Sequence, residues 1–536
     1  MTVAKLLKSI ALFVVMFVIL VFVGLYWLAA NDRAIDYDVS TAGLVIPTFD
    51  QQSIDFMPTY DAMATLPFAA STVIDIDNDG VEEVYFGGGI HQDDAFYRFE
   101  NGSFKDITAE TGWIKTKPDK TFGSIALDLD HDGDNDMLVA RQSGVWLYTN
   151  DQAKFTGKKL DLDLHPETVP LSVAVADLNR DGLYDMYVSG YIARKFVQGE
   201  TIFNLKYGGI SGLYMNTGND TFKNITEEAG LYYQHNTFQA IFIDMDGDNL
   251  EDIVVAHDTG QVRTWKNLGD LKFENVPNPT SDYFAYPMGI AVTDYREDGR
   301  PDFFFSNVGS TTPDALVRGD LREDQVLHKK WLMFENKGDF QFEDIAESAK
   351  LADYEFSWGA IFEDFNLDGR DDLVVSENYI GFPLHALSMW RLDGRFMLQN
   401  AAGEFAEASE QSGVKNRLFG ISPLTADFNQ DGYPDLIHVN LQGAQQVFIS
   451  KGGDQNHLKI KLANVIESIG AKVAVTLEDG SVLHQTFVSG EGLCSDQSHV
   501  LIFGLGKQKA VDVKVDFLNG ASANRSGSFV NQLLAL

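Results

Sequence analysis

The stretch VIDIDNDGVEEVYF, residues 73–86, sets Asp75, Asp77 and Asp79 on alternate positions, follows them with Gly80, and runs straight into apolar residues. Six more segments repeat it: LDLDHDGDNDMLVA, ADLNRDGLYDMYVS, IDMDGDNLEDIVVA, TDYREDGRPDFFFS, EDFNLDGRDDLVVS and ADFNQDGYPDLIHV. Their first aspartates, Asp75, Asp128, Asp177, Asp244, Asp294, Asp364 and Asp427, are spaced by 53, 49, 67, 50, 70 and 63 residues. A period of this size signals a propeller, solenoid or array.

Each unit has an apolar run ending at the first Asp, the acidic loop, a second apolar run, and a segment such as GLYMNTGNDTFKNITEEAGL (212–231) with a tight-turn signal. We read four short antiparallel strands, A to D, with the acidic loop joining A to B. Seven such units make an all-β, seven-bladed propeller. The segment 53–77 lines up with 104–130, so residues near 53–57 read as a strand D with no A, B or C before it. After the seventh loop only B (434–439) and C (445–450) follow, and the N-terminal strand is expected to complete that last blade and leave no open sheet edge.

The loop pattern is D-x-[DN]-x-D-G-x-x-[DE], with side-chain oxygens at positions 1, 3, 5 and 9 and a backbone carbonyl at position 7. Hard oxygens converging at that spacing suit Ca²⁺, and a residue tolerant of positive φ at position 6 makes the turn. An EF-hand would need a bidentate Glu at position 12, where the first four copies carry Phe86, Val139, Val188 and Val255. The expected ligands are Asp75, Asp77, Asp79 and Glu83; Asp128, Asp130, Asp132 and Asp136; Asp177, Asn179, Asp181 and Asp185; and Asp244, Asp246, Asp248 and Asp252. The sixth loop offers Asp364, Asn366, Asp368 and Asp372, the seventh Asp427, Asn429, Asp431 and Asp435. In the fourth, Asn249 replaces the glycine, a mild change because Asn visits the left-handed region. The fifth, Asp294, Arg296, Asp298 and Asp302, has a cation where a ligand should stand; Arg296 is expected to take the ion's place, leaving about six Ca²⁺. Their role would be structural.

The net charge of -37 argues against a nucleic-acid partner, and much of it is accounted for by these loops. One cysteine, Cys494, excludes an intramolecular disulfide and a Cys-based zinc site. Residues 9–30 carry no charge, and as a helix would reach about 33 Å, enough for a bilayer core. Lys5 and Lys8 precede them, while Asp32, Asp36 and Asp38 follow, so the expectation is a cytoplasmic N-terminus (1–8), a signal anchor (9–30), a linker (31–49) and a periplasmic or extracellular remainder. A cleaved signal peptide is the rival reading.

The units resemble the FG-GAP/VCBS repeats of integrin-α-like propellers, whose D-x-D-x-D-G loops bind Ca²⁺ between strands A and B, over roughly residues 50–455. The tail 456–536, with IGAKV, SGEG and FGLG, resembles an ASPIC/UnbV domain. Its alternation in KVAVTL and VDVKVDF reads as a small β-sandwich packed on the propeller. Together they resemble the cartilage acidic protein family and its bacterial relatives, which implies binding or adhesion and no established catalysis. Leu493 and Cys494 stand where that family often has an aromatic and a polar residue.

The three long units carry their extra length after strand B, in 190–212, 307–330 and 377–395, on the face opposite the acidic loops. Arg194, Lys195, Arg318, Arg322, Lys329, Lys330, Trp331 and Trp390 lie in or beside them, and basic and aromatic residues are what interaction surfaces favour. A protein or glycan ligand is expected there. No HExxH, P-loop, GxSxG or Rossmann pattern is present and the 11 histidines are scattered, so no catalytic residue is assigned. The alternatives to a binding module are an accessory subunit of a membrane complex and a carbohydrate-active enzyme.

Overall fold

The computed structural model describes residues 3–31, 37–196, 208–312, 317, 321–378, 392–463 and 466–536. The N-terminal helix runs Val3–Asn31, and its apolar side chains between Ile10 and Val23 lie exposed. Among the described residues no helix is long and apolar enough to cross a membrane; the continuous run of described side chains in this one stops at Gly24.

The regular structure after the helix is nearly all strand, because the apolar runs are short, β-branched or aromatic, and punctuated by glycine turns. Among the described residues seven successive antiparallel sheets take the strand order A-B-C-D. Their A strands are Ser71–Ile74, Thr121–Leu127, Thr168–Ala176, Thr237–Ile243, Ile290–Thr293, Ser357–Glu363 and Gly420–Ala426. These are buried along almost their whole length, which is why they read as continuous apolar runs and not as alternation. The A strands pack side by side from sheet 1 to sheet 4 and from sheet 5 through sheet 7 back to sheet 1. Sheets 4 and 5 share a core of Ile241, Val254, Ile290, Phe303 and Phe305, so the sheets form a ring.

The seventh sheet is completed by the strand Phe49–Ile54, which pairs antiparallel with Gln445–Ser450 from Phe49 opposite Ser450 to Ile54 opposite Gln445. The closing strand thus begins about four residues before its expected position. The preceding segment is fixed as well: Leu44 and Ile46 pack on sheets 6 and 7, and the Tyr37 hydroxyl donates to Asp353 Oδ2 at 3.0 Å.

The tail forms a three-stranded sheet (Asn456–Lys461, Val500–Gly506, Gln532–Ala535) and a four-stranded one (Lys472–Leu477, Val482–Thr486, Ala510–Asp516, Ser522–Phe529). Leu458, Ile460, Val473, Val475, Phe503, Val513 and Val515 share one core with Ile125, Leu138, Val173 and Met186 of sheets 2 and 3. The tail is therefore fused to the ring and not simply laid against it.

Its loop 489–497 threads the axis of the ring. Ser495 and Asp496 pair parallel with Ser71 and Thr72, and Gly492 exchanges two backbone hydrogen bonds with Ile290, 3.0 and 3.1 Å. Glu491 accepts the Val292 N–H at 2.7 Å, Asp496 the Ala126 N–H at 2.8 Å, and Gln497 the Thr425 N–H at 3.1 Å, while Gln239 donates to the Gly490 carbonyl. The A strands are the inner edges of their sheets, and the loop supplies partners that their backbone groups would otherwise lack. Leu493 and Cys494, at its tip, are buried in an apolar collar to which every sheet contributes: Phe68, Phe122, Leu171, Phe238, Met288, Trp358 and Ile421.

Candidate functional site

The seven acidic loops lie on one face of the ring and share one construction. Position 6 has positive φ in all of them, from 66° at Asn249 to 94° at Gly133. Its N–H donates to Oδ2 of the position-1 aspartate at 2.7 to 3.2 Å. The N–H of position 7 donates to Oδ1 of the position-5 aspartate over the same range. Backbone donors thus aim the carboxylates, as in any Asx turn.

Position 9 does more than the spacing predicts. Glu83, Asp136, Asp252, Asp302 and Asp435 each accept the position-2 N–H at 2.9 to 3.0 Å. Position 9 in sheets 2 to 7 also accepts an N–H from the end of strand C, at Asn150, Asn216, Asn267, Asn336, Gln399 and Ser450. It therefore staples the end of A to the end of C. Burial pushes Asp136 and Asp185 up to about 7, and Glu83, Asp252 and Asp302 up to about 8. A cation beside such groups would restore their charged form.

Three loops bring three carboxylates together: Asp75, Asp77 and Asp79; Asp128, Asp130 and Asp136; and Asp244, Asp246 and Asp248 each bring one ligand atom within 4.8 Å of the others. Buried oxygens without a hydrogen-bond partner occur at Asp75 Oδ1, Asp185 Oδ2, Asp372 Oδ2 and Asp427 Oδ1. Such orphaned atoms are rare in native interiors, and hard oxygens with no donor fit a divalent cation. In loops 3 and 7 the fit is weaker: Asn179 and Asn429 turn their amides onto Asp181 and Asp431 at 3.0 and 3.1 Å, whereas Asn366 of loop 6 does not.

The fifth loop departs from expectation. Arg296 does not fill it; its guanidinium lies over the Tyr295 ring at 4.6 Å and reaches Glu335 at 3.4 Å, with half of its side chain exposed. Attraction to the ring face and to Glu335 draws it outwards. The cation at this loop is Arg300, bonded to Asp298, and the His484 ring of the tail lies 3.4 Å from Asp294 Oδ2. Other loops also carry cations of the chain: Arg98 bridges Asp77 and Glu83, Lys266 bridges Asp246 and Asp248, and Arg370 meets Asp368.

Position 4, an unread x in the pattern, supplies a second regularity. Asn78, His131, Arg180 and Gln430 all have positive φ, and each side chain bonds to the position-6 carbonyl of the next loop. Gln430 reaches Gly80 (3.0 Å), Asn78 reaches Gly133 (2.9 Å), His131 meets Gly182 (2.8 Å) and Arg180 reaches Asn249 (2.8 Å). Loops 7, 1, 2, 3 and 4 are thereby linked in series. The clue in the sequence was four side chains able to donate at one phase, against Gly247, Glu297 and Leu367 in the rest.

On the opposite face, the residues expected to bind a partner fare unequally. Trp331 is fully buried, stacked on Tyr354 at 4.8 Å with its indole N–H on the Glu355 carbonyl at 3.1 Å; it is a core residue, because its apolar area outweighs its position beside an insertion. Arg194 donates to the Ala62 carbonyl at 2.6 Å, Lys195 lies over Phe196 at 4.7 Å, and Arg322 pairs with Asp324 at 3.0 Å. Lys329 donates to the Thr312 carbonyl at 2.6 Å and Lys330 pairs with Glu347 at 2.6 Å. Arg318 and Trp390 lie outside the described residues.

A second polar cluster on this face was not read from the sequence. Asp94 Oδ1 accepts from Lys115 (3.0 Å), Thr121 (2.8 Å) and the Gly88 N–H (2.8 Å), and Oδ2 from Arg141 (2.6 Å) and Trp113 (3.1 Å). Despite complete burial, the Lys115 and Arg141 charges and these donors hold its carboxyl down at about 2.

A ring of β-sheets with acidic A-to-B loops and a fused β tail defines a class, and family models agree with it. An FG-GAP-like repeat matches residues 75–139, 128–188 and 244–305, and an ASPIC and UnbV model matches 463–536. The chain combines FG-GAP-like repeats with an ASPIC and UnbV module, and is related to cartilage acidic protein 1. The Xenopus tropicalis protein of that name is 24% identical over 508 residues, covering 87% of this chain and 73% of that one. The Homo sapiens protein is 22% identical over 497 residues, covering 88% and 71%. Among solved structures, BBS1N in complex with ARL6DN superposes at a TM-score of 0.41 with 9% identity, covering 75% of this chain and 97% of that one.

Proposed function

We propose that the chain is a membrane-anchored, extracytoplasmic seven-bladed propeller, stabilised by Ca²⁺ in its A-to-B loops, that works as a binding or protein-interaction module and not as an enzyme. The observation that carries the non-catalytic part is the filled axis: the space where a propeller would assemble distant side chains around a substrate holds residues 489–497, hydrogen-bonded to strands A of five sheets. Support for Ca²⁺ comes from the hard-oxygen donor set and the orphaned oxygens of Asp75, Asp185, Asp372 and Asp427. Anchoring rests on the uncharged stretch 9–30, within the helix Val3–Asn31, and extracytoplasmic placement on the lysines before it and aspartates after it. We place the limits at 9–30 for the anchor, 31–48 for the linker, 49–455 for the propeller, because its closing strand begins at Phe49 and not at 50, and 456–536 for the tail.

With the axis filled and the tail seated on the acidic-loop side, the opposite face is where a protein or glycan ligand would meet Arg194, Lys195, Arg322, Lys329 and Lys330. Native membranes should be cross-linked with the full chain in place, with and without chelator. A partner whose cross-links map to 190–212, 307–330 or 377–395 is the expected outcome. Cross-links confined to the tail, or turnover of any member of a glycan panel by the purified chain, would defeat the reading.

A further inference from the structure

The tail touches the acidic loops through a small set of lysines placed by strand periodicity. In Asn456–Lys461 the alternation HLKIK turns Leu458 and Ile460, both fully buried, into the core that the tail shares with sheets 2 and 3, and turns Lys459 and Lys461 the other way, on to the acidic loops. Lys459 Nζ lies 2.7 Å from Asp427 Oδ2, and Lys461 Nζ lies 3.0 Å from Asp75 Oδ2. From the start of the next strand, Lys472 Nζ lies 3.0 Å from Asp244 Oδ2. All three targets are position-1 aspartates, in loops 7, 1 and 4. All three lysines choose Oδ2, the oxygen that also accepts the position-6 N–H.

At Asp75 and Asp427 the other oxygen, Oδ1, is buried and has no partner. Each of these carboxylates therefore offers one oxygen to the tail and one to the loop. A lysine and a cation bound to one carboxylate are like charges only a few ångströms apart, and in a partly buried site their repulsion is incompletely screened. Each must weaken the other, by the same factor in both directions.

We propose that Lys459, Lys461 and Lys472 pin the tail to the ring through carboxylates that the cation sites share, so that they lower the divalent-cation affinity of loops 7, 1 and 4, and cation loading of those loops loosens the tail and its axial plug. The loops then differ by design. Loop 3, whose described carboxylate contacts are backbone amides and Asn179, is met by none of these lysines, so its own affinity should stay the same when they are replaced. The affinity half of the proposal rests on the loops holding cations; the pinning half does not.

Cys494, the chain's single cysteine, sits 2% exposed at the tip of the plug and reports its withdrawal. The full chain in detergent, stripped by chelator, would be titrated with CaCl₂ by calorimetry, and Cys494 alkylation timed without Ca²⁺. The variant Lys459→Met/Lys461→Met keeps the apolar stems; it should bind Ca²⁺ about tenfold more tightly at two sites, equivalent to about 1.4 kcal/mol each, and alkylate faster. Lys472→Met alone should do the same at one site, which guards against misfolding of the double variant. Lys461→Arg keeps the charge and should behave as the parent, as should Lys451→Met, whose partner Asp50 is an exposed residue outside the loops. Unchanged or weaker Ca²⁺ binding in the Met variants overturns the shared-carboxylate idea. Unchanged alkylation overturns the pin. If parent and variants alike bind no Ca²⁺, the cation reading of the loops falls, and alkylation alone still decides whether the lysines hold the plug.

Discussion

The two faces of the ring solve the same problem, how to end seven sheets without exposing unpaired backbone, by different means. The acidic face repeats one device seven times: an Asx-rich hairpin whose carboxylates are aimed by backbone amides and whose position-9 acid ties strand A to strand C. The opposite face uses pins that differ from sheet to sheet. Asp94 gathers Lys115 and Arg141 at sheets 1 and 2. Asn236 accepts from Ile192 and Gly209 at sheets 3 and 4, and Asn307 holds the insertion of sheet 5 through the carbonyls of His328 and Lys330. The repeated device concentrates like charge and so draws cations from the ring's own Arg98, Lys266, Arg300 and Arg370, from the tail, or from outside. The pins are neutral amides or a buried cluster of mixed charge, and none of them crowds carboxylates together.

This contrast can be broken at either face. The largest effect is expected from chelation, because each ion that binds only the folded ring contributes about 2.7 kcal/mol at a hundredfold excess over its dissociation constant, and several sites add. The melting temperature should fall steeply in EDTA and recover with Ca²⁺, and a flat response in calorimetry would show that the acidic face is complete without ions. At the other face Asp94→Ala leaves Lys115 and Arg141 buried and uncompensated, and should cost about 3–5 kcal/mol in denaturant unfolding. That loss should be the same with and without chelator, since no loop carboxylate contacts Asp94; a Ca²⁺-dependent loss would mean the faces are coupled. The smallest effect concerns the serial links between loops. Asn78→Gly preserves the positive φ of 57° and removes the bonds to Gly133 and Asp134, so about 1 kcal/mol should be lost. Calorimetry should also show loops 1 and 2 filling less cooperatively.

The acidic face was legible in the sequence because a ligand set, a turn residue and the strand that follows are contiguous. The phase of seven copies exposed Glu83 as the position-9 acid of the first loop, and Asn249 served for glycine as its side chain allows. What the pattern left as x was illegible one copy at a time: Asn78, His131, Arg180 and Gln430 act on a neighbouring loop about fifty or more residues away. Arg296 misled for a related reason. Its position within the loop pointed inwards, and the ring of the adjacent Tyr295 and the acid Glu335 of strand C drew it outwards. The pins of the opposite face had no repeat to betray them, and Trp331, placed by sequence beside an insertion, proved to be core.

By itself the sequence determined the all-β repeat, the number of loops, the acid-bearing positions and the closure by an N-terminal strand, because each follows from local spacing and hydropathy. The tertiary structure alone decided what meets at the axis and over the loops. Residues 489–497 carry a family landmark, SGEG, but nothing in the string says where it goes; they satisfy the inner edges of five sheets and bury Leu493 and Cys494 in a collar drawn from all seven. Lys459, Lys461 and Lys472 read as the solvent side of amphipathic strands until the ring supplies Asp427, Asp75 and Asp244. Such contacts join residues tens to hundreds of positions apart, where no local period carries the signal and only the closed ring brings them together.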